Sequence, residues 1–494
     1  MSTSKVIMAI DQGTTGTTVL LFDESGKMVA KAYSEFRQYY PKPGWVEHDA
    51  EEIWQVTLKV IHGAVDRAGI TLQDIAAIGI SNQRETTVLW DRKTGVPIAP
   101  AIVWQCRRTS EMCRRLKDDG LESTFTKKTG LVIDAYFSAT KIKWLLDHIP
   151  EARTRAENGE VLFGTIDSWL LWKLTGGVHS TDYTNASRTL IYNIHEQHWD
   201  DELLDILDIP RVMLPSVQPS SAVFGHTNIP QFAERSIPIT GIAGDQQAAL
   251  YGQLCWEPGM VKNTYGTGCF MVLNTGDQAI DSKHKLLTTL ACNAAGKPCY
   301  ALEGAVFIAG AVIQWLRDEL GLIETAAESE ELAFSVEDTH GVYMVPAFVG
   351  LGAPHWDMEA RGTIVGLTRG ANRAHMVRAA LESIAFQSYD VLEAMVDDAD
   401  IDIKTVRVDG GAVANDFLMQ FQADLLNIEI DRPQMIETTA LGAAMLAGLA
   451  AEFWRLDELR EVRKTDAIFI PALESDKRGE LISAWHKAVR QCRM

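Results

Sequence analysis

The stretch Val6-Ile7-Met8-Ala9-Ile10-Asp11-Gln12-Gly13-Thr14-Thr15-Gly16-Thr17-Thr18-Val19-Leu20-Leu21-Phe22 decides the fold. Two runs of strand character, Val6 to Ile10 and Val19 to Phe22, flank a small Gly/Thr cluster headed by an acid. Glycine lets the main chain approach an anion and threonine adds a hydroxyl donor, so such a turn can set N–H groups against phosphate oxygens. The device recurs far along the chain, where Thr264-Tyr265-Gly266-Thr267-Gly268 lies between Met260-Val261 and Cys269 to Leu273. Either turn alone is compatible with an ordinary hairpin. The repetition, and the acid before the first copy, point to two lobes gripping one polyphosphate.

Working outward, Met28 to Phe36 reads as a third strand. A helix follows, capped by Asp49 with Glu52 placed for a capping box, its apolar positions Ile53, Val56, Val60 and Ala64 at helical spacing and Gly69 at its end. Ile75 to Ser81 is a further strand, running into Asn82-Gln83-Arg84-Glu85. The pattern restarts after a strand at Ile237 to Ile242: strand, turn and strand from Gly259, a helix from about Gly304 to Leu320, a strand at Gly341 to Val345, a helix over Arg373 to Met395 and a strand at Thr405 to Val408. That strand leads through Asp409-Gly410-Gly411-Ala412 to a helix opening at Asn415. The expected fold is α/β with two duplicated domains, residues 1–250 and 251–494, and a ligand cleft between them.

Composition excludes several classes of function. A net charge of −20 over 494 residues disfavours nucleic acid and anionic membrane as partners, both of which reward clustered Lys and Arg. It also means that a nucleotide needs a local cation, which favours Mg²⁺ as its carrier. Seven cysteines without a C-x-x-C pair, and a start that runs directly into a strand, lead us to expect a reduced, cytoplasmic protein. The most apolar stretches, Ala301 to Leu316 and Thr439 to Trp454, fall short of the roughly 20 residues of a membrane span and read as buried helices.

Chemistry concentrates at strand ends. Asp11, closing the first strand, is placed to hold Mg²⁺ against phosphates. Arg84 and Glu85 end another strand, where α/β proteins present ligand groups. Asp245, in Gly244-Asp245-Gln246-Gln247, reads either as a helix cap or as a base taking a proton from an attacking hydroxyl, with Gln246 orienting it. Gly410-Gly411 permits close approach of a purine or phosphate, and Gly310 and Gln314 are placed to wall the same pocket. No P-loop, protein-kinase, serine-hydrolase or H-E-x-x-H signature is present.

Taken together, Asp11 to Thr15, Ser81 to Thr86, Ala101 to Arg107, Gly130 to Tyr136, Thr181 to Arg188, Gly244 to Ala248, Asn263 to Phe270, Gly350 to Pro354 and Val408 to Asn415 resemble the carbohydrate kinase family, in particular its members that act on glycerol. The resemblance implies two ribonuclease H-like (actin-like ATPase) domains, each a mixed five-stranded sheet flanked by helices, with the active site in the cleft. It implies ATP-dependent phosphorylation of glycerol with Mg²⁺, or of another small polyol or ketopentose on the same fold, by a homodimer or homotetramer. It implies Arg84, Glu85, Tyr136, Asp245 and Gln246 on the hydroxyls, Trp104 and Phe270 as apolar walls, and Asp245 as base. Thr14, Thr15, Gly16 and Thr267 would meet the phosphates, and Gly310, Gln314, Gly411 and Asn415 the adenosine.

Two departures stand out. Many relatives carry Ser-Ser-Arg after the Thr-Thr pair, whereas Gly16, Thr17 and Thr18 stand here, without that arginine. The segment Asn228 to Glu234 has neither the glycine-rich loop nor the histidine through which some bacterial relatives are regulated, so weak control by both routes is expected.

Overall fold

The first hairpin pairs strand β1 (Val6–Gln12) with β2 (Gly16–Phe22) antiparallel, Ile10 opposite Val19. The computed structural model describes residues 5–232 and 235–493, so Ala233 and Glu234 of the segment singled out above lie outside the described residues. Strand β3 (Met28–Glu35) adds antiparallel to β2, while β4 (Ile75–Asn82) runs parallel to β1. Strands β5 (Ser221–His226) and β6 (Pro238–Gly244) complete a six-stranded sheet of order β5-β6-β4-β1-β2-β3. Apolar residues of β1 and β4, such as Ile7, Met8, Ile78 and Ile80, are wholly buried on both faces, as parallel central strands require.

The second sheet repeats the plan. Its strands are β7 (Val261–Tyr265), β8 (Cys269–Gly276), β9 (Leu287–Cys292), β10 (Pro298–Val306), β11 (Thr405–Asp409), β12 (Glu429–Pro433) and β13 (Thr465–Phe469), in the order β9-β10-β8-β7-β11-β12-β13. The series β3-β2-β1-β4-β6 and β10-β8-β7-β11-β12 match strand for strand in order and direction. Each is the expected five-stranded core; β5 extends one, and β9 and β13 extend the other. Each Gly/Thr turn joins the first two strands of its core.

Two local expectations give way. Asp49 caps helix α1 (Ala50–Ala68), accepting from the Glu51 and Glu52 N–H groups, and Gly69 ends it at φ 65°. Glu52 does not close a capping box, because its Oε1 accepts from Arg37 N at 3.0 Å. The long helix expected over Gly304 to Leu320, within the apolar run from Ala301, is strand β10 to Val306, and helix α3 (Gly310–Asp318) starts only after it. A central strand buried on both faces carries a continuous apolar run, which periodicity does not separate from a buried helix.

Three more helices position the site: α2 (Asp245–Gly252), α4 (Arg373–Ala399) and α5 (Asp416–Leu426). A fourth, α6 (Thr438–Ala450), belongs to the second half of the chain yet packs on β1, β4 and β6 of the first sheet and against α2. Thr240 Oγ1 on β6 and Ser221 Oγ on β5 donate to its Ala447 and Leu446 carbonyls at 2.8 and 2.9 Å. Small residues make the contact possible: a Cβ on Gly442 would lie 1.8 Å from the Ala248 carbonyl oxygen, and one on Gly79 2.1 Å from that of Ala443. Among the described residues no helix is long and apolar enough to cross a membrane.

The α2–α6 contact therefore admits no side chain. Gly442→Ala is expected to lower unfolding stability by about 1–3 kcal/mol, the usual penalty for overpacking, as read from urea denaturation. An unchanged midpoint would show that the two helices separate freely.

Candidate active site

Strand order places three functional carboxyl ends side by side. In the first sheet β4 lies between β1 and β6, with Asp11 paired to Ser81 and Gly244 to Asn82, so Asp11, Arg84 and Asp245 leave the same edge. Beyond β4 the chain turns through Glu85 at φ 60°, a left-handed conformation costly for a residue with a side chain. Ser138 Oγ holds that turn by donating to the Glu85 carbonyl at 3.0 Å. Gly244 gives the Arg84 side chain its path, since a Cβ there would stand 2.7 Å from Arg84 Cγ and Cδ.

Arg84 lies at the centre of a buried ion network. Its Nε meets Asp245 Oδ1 at 3.0 Å, its Nη2 donates to Glu303 Oε1 at 3.0 Å, and its Nη1 reaches Gln247 Oε1 at 3.2 Å and the other Glu303 oxygen. Arg188 donates from Nε to Glu85 Oε1 at 2.7 Å and from Nη2 to Glu303 Oε1 at 3.0 Å. Arg84, Glu85, Arg188 and Glu303 are all at most 3% exposed, so two cations and two anions compensate one another away from water. Burial pushes the Glu303 carboxyl upward, but Arg188 and Arg84 outweigh it and draw it down to about 2. Glu303 lies on β10 in the second sheet; it bridges the lobes.

The candidate list from sequence omits Arg188 and Glu303. Glu303 had a legible signal, a lone charge inside an apolar run, which is tolerable only with buried partners. Lys262 on β7 was also missed; its ammonium touches Gln246 Oε1. The Arg188 signal was weaker, because its partners lie far away in sequence.

Asp245, the first residue of α2, is the exposed member. Its Oδ1 accepts from Gln246 N at 2.8 Å and its Oδ2 from Gln246 Nε2 at 3.1 Å, yet 32% of its side chain remains accessible, enough to meet a ligand. Burial, then the carboxylates of Asp245 and Glu437, pushes the Asp11 carboxyl up to about 8 against the pull of Lys31. A carboxylate so desolvated, with further negative charge in its surroundings, would be relieved by a hard divalent cation, to which it could bring an oxygen ligand.

The aromatic candidates line the same region. Trp104 and Tyr136 meet edge to face with centroids 5.5 Å apart, and the Arg188 guanidinium lies over the Tyr136 ring at 5.6 Å. Trp104 Nε1 donates to Thr14 Oγ1 at 2.9 Å, joining this wall to the first Gly/Thr turn. Phe270, half-buried on β8, pairs with Ala305 of β10.

In the first turn Gly13 N donates to Gly16 O at 2.9 Å and Thr15 is exposed. Gly16 leaves no room for a side chain as the strands lie: a Cβ would stand 2.8 Å from the Ser34 carbonyl oxygen and 2.6 Å from the Tyr33 ring. In the second turn Gly266 N donates to Gly268 O at 2.9 Å, Thr267 is exposed, and Gly310 N at the start of α3 donates to Gly266 O at 2.9 Å. Gly410 adopts φ 90° with its Cα against Tyr265, where a Cβ would be 2.4 Å from that carbonyl oxygen. Gly411 beside it faces open space, so Thr267, Gly310 and Gly411 gather around one turn. Asn415 instead caps α5, accepting from Leu418 N at 2.9 Å, and Gln314 is exposed on α3.

Residues 6–252 match the N-terminal domain of the FGGY family of carbohydrate kinases and residues 261–451 its C-terminal domain. The chain is 60% identical over 490 residues to a glycerol kinase of Caldanaerobacter subterraneus, covering 99% of this chain and 98% of that one. It is 61% identical over 493 residues to a glycerol kinase of Carboxydothermus hydrogenoformans, covering 99% of each. The crystal structure of Plasmodium falciparum glycerol kinase with ADP superposes with a TM-score of 0.93 at 38% identity, covering 99% of each chain.

The ion network makes a direct prediction. Glu303→Gln leaves two buried guanidinium groups facing one carboxylate of the original pair, and breaking such a pair costs about 3–5 kcal/mol. Urea unfolding should show that loss, whereas a variant as stable as the wild type would mean that Glu303 is dispensable to the network.

Proposed function

The chain belongs to the FGGY family of carbohydrate kinases, and we propose that it transfers the γ-phosphoryl group of ATP to glycerol, giving sn-glycerol 3-phosphate. The observation that carries this reading is Asp245, an accessible carboxylate oriented by Arg84 and Gln246 at the sheet edge that also presents Asp11. Full-length identity of about 60% to glycerol kinases narrows the alcohol to glycerol.

A three-carbon triol offers hydroxyls and little apolar surface, so recognition rests on hydrogen bonds, and each buried polar group left unpaired costs about 1–3 kcal/mol. Arg84, Glu85, Tyr136, Asp245 and Gln246 supply those partners, and Trp104 and Phe270 enclose the carbon chain. Asp245 accepts the proton of the attacking hydroxyl as its oxygen bonds to the γ-phosphorus and the bond to the β-phosphate oxygen breaks. Thr14, Thr15, Gly16 and Thr267 hold the phosphates through main-chain N–H groups and hydroxyls, which stabilise charge on the transferring group. Gly310, Gln314, Gly411 and Asn415 line the adenosine site.

Asp11 is the residue that would hold Mg²⁺, which, when bound, offsets the charge of the polyphosphate. Residues 1–250 and 251–494 act as the two lobes, each bringing one turn. The enzyme works in the cytoplasm as a homodimer or homotetramer.

A coupled assay of ADP release tests the substrate. Glycerol should be turned over in preference to dihydroxyacetone, xylulose and ribulose, and preference for a ketopentose would replace glycerol in this reading. Asp245→Asn should lower kcat by roughly 10²–10⁴ while nucleotide affinity holds. Turnover near that of the wild type would remove Asp245 from the role of base.

A further inference from the structure

Lys262 is wholly buried on β7, just before the second Gly/Thr turn. Its ammonium contacts Gln246 Oε1, Thr264 Oγ1 at 2.7 Å and the Phe270 carbonyl at 3.2 Å, so three N–H donors meet three acceptors. None of those acceptors is an anion, and among the described residues no carboxylate lies within ion-pair range of Nζ. Asp409, Asp245 and Glu303 supply negative charge from further away, with Arg84 opposing them. Burial accordingly draws the ammonium down to about 8. A buried cation held by neutral groups alone weakens a fold, and an apolar side chain of similar length would fill this strand position better. Structural need does not account for a lysine here.

Its chemistry is explained by Gln246. A carboxamide has two ends of nearly equal size, one accepting and one donating. The Lys262 ammonium engages Oε1, which leaves Nε2 to face Asp245 and donate to its Oδ2 at 3.1 Å. The amide turned the other way would set its oxygen against the carboxylate and repel it. The remaining two contacts of Lys262 are on β7 and β8, the strands that frame the second turn.

We propose that Lys262 is a positioning residue for the phosphoryl transfer: it fixes the amide of Gln246, and through it the base Asp245, in register with the turn that receives the phosphates. This rests on the kinase reading above, and it adds a link between the polyol wall and the second lobe. The atoms that touch substrate remain those of Asp245 and Gln246.

The test is a double-mutant cycle on the full-length enzyme, with Lys262→Met, Gln246→Ala and the pair, each checked for folding by circular dichroism and thermal unfolding. Lys262→Met should lower kcat by about 30-fold or more while the KM for ATP stays within about threefold. Residues acting as one unit do not lose activity independently, so the double variant should fall no more than about threefold below the worse single one. If Lys262→Met does not fold, Lys262→Ala, which likewise removes the donor to Oε1, enters the same cycle. A Lys262 variant within about threefold of wild-type kcat, or single losses that simply multiply, overturns the proposal. A wild-type enzyme that ignores glycerol overturns only the choice of substrate, since the cycle is then read on whichever polyol of the panel is accepted.

Discussion

Everything at the cleft depends on how four charges are kept out of water. Arg84, Glu85, Arg188 and Glu303 come from two separate regions of the first lobe's sequence and one strand of the second, and each is nearly inaccessible. Charges buried so deeply survive only in mutual compensation with good geometry. Arg84 therefore has little freedom, and Asp245, in an ion pair with its Nε, inherits that fixity. The network also explains why a strained Glu85 backbone is tolerated: relaxing it would withdraw the carboxylate that Arg188 needs. Pre-organisation of this kind is what an enzyme needs when the chemistry is mostly placement of two substrates.

The duplicated sheets give that placement its frame. Each core presents a Gly/Thr turn at the junction of its first two strands, and both turns are closed by a short N–H to carbonyl bond across the glycines. Around the first turn stand the groups suited to a polyol, joined to it through Trp104 and Thr14. Around the second stand the start of α3 and the Gly410-Gly411 bend, which leave open main chain for a nucleotide. One architecture is thus used twice, and the surroundings of the two turns differ by what is attached to each.

Much of this was legible in the sequence because it is written locally. The hairpin around Asp11, the Asp49 cap, the Gly69 stop and the strand ends at Arg84 and Asp245 all follow from neighbouring residues. What was lost depends on distant partners. Strand β10 passes for a helix because its burial comes from sheet neighbours on both sides, and Glu303 is hidden in it for the same reason. Glu52 forsakes the capping box for Arg37, a residue outside the helix. The steric constraint on Gly16, the close passage of Ser34, likewise comes from another strand. Lys262 shows the same limit, since a lysine in a strand reads as solvent-facing until its acceptors are seen.

Helix α6 has a consequence for how the molecule is made. Its residues, buried almost throughout, cover a face of the first sheet although they are translated after most of the second lobe. Synthesis proceeds from the amino end, and domains ordinarily fold as they emerge. Here the nascent amino-terminal half leaves the ribosome with an apolar wall unroofed, and only the late arrival of Thr438–Ala450 closes it. The chain thus ripens as a whole, and a polypeptide arrested before that helix exposes greasy surface of the kind that chaperones and proteases recognise.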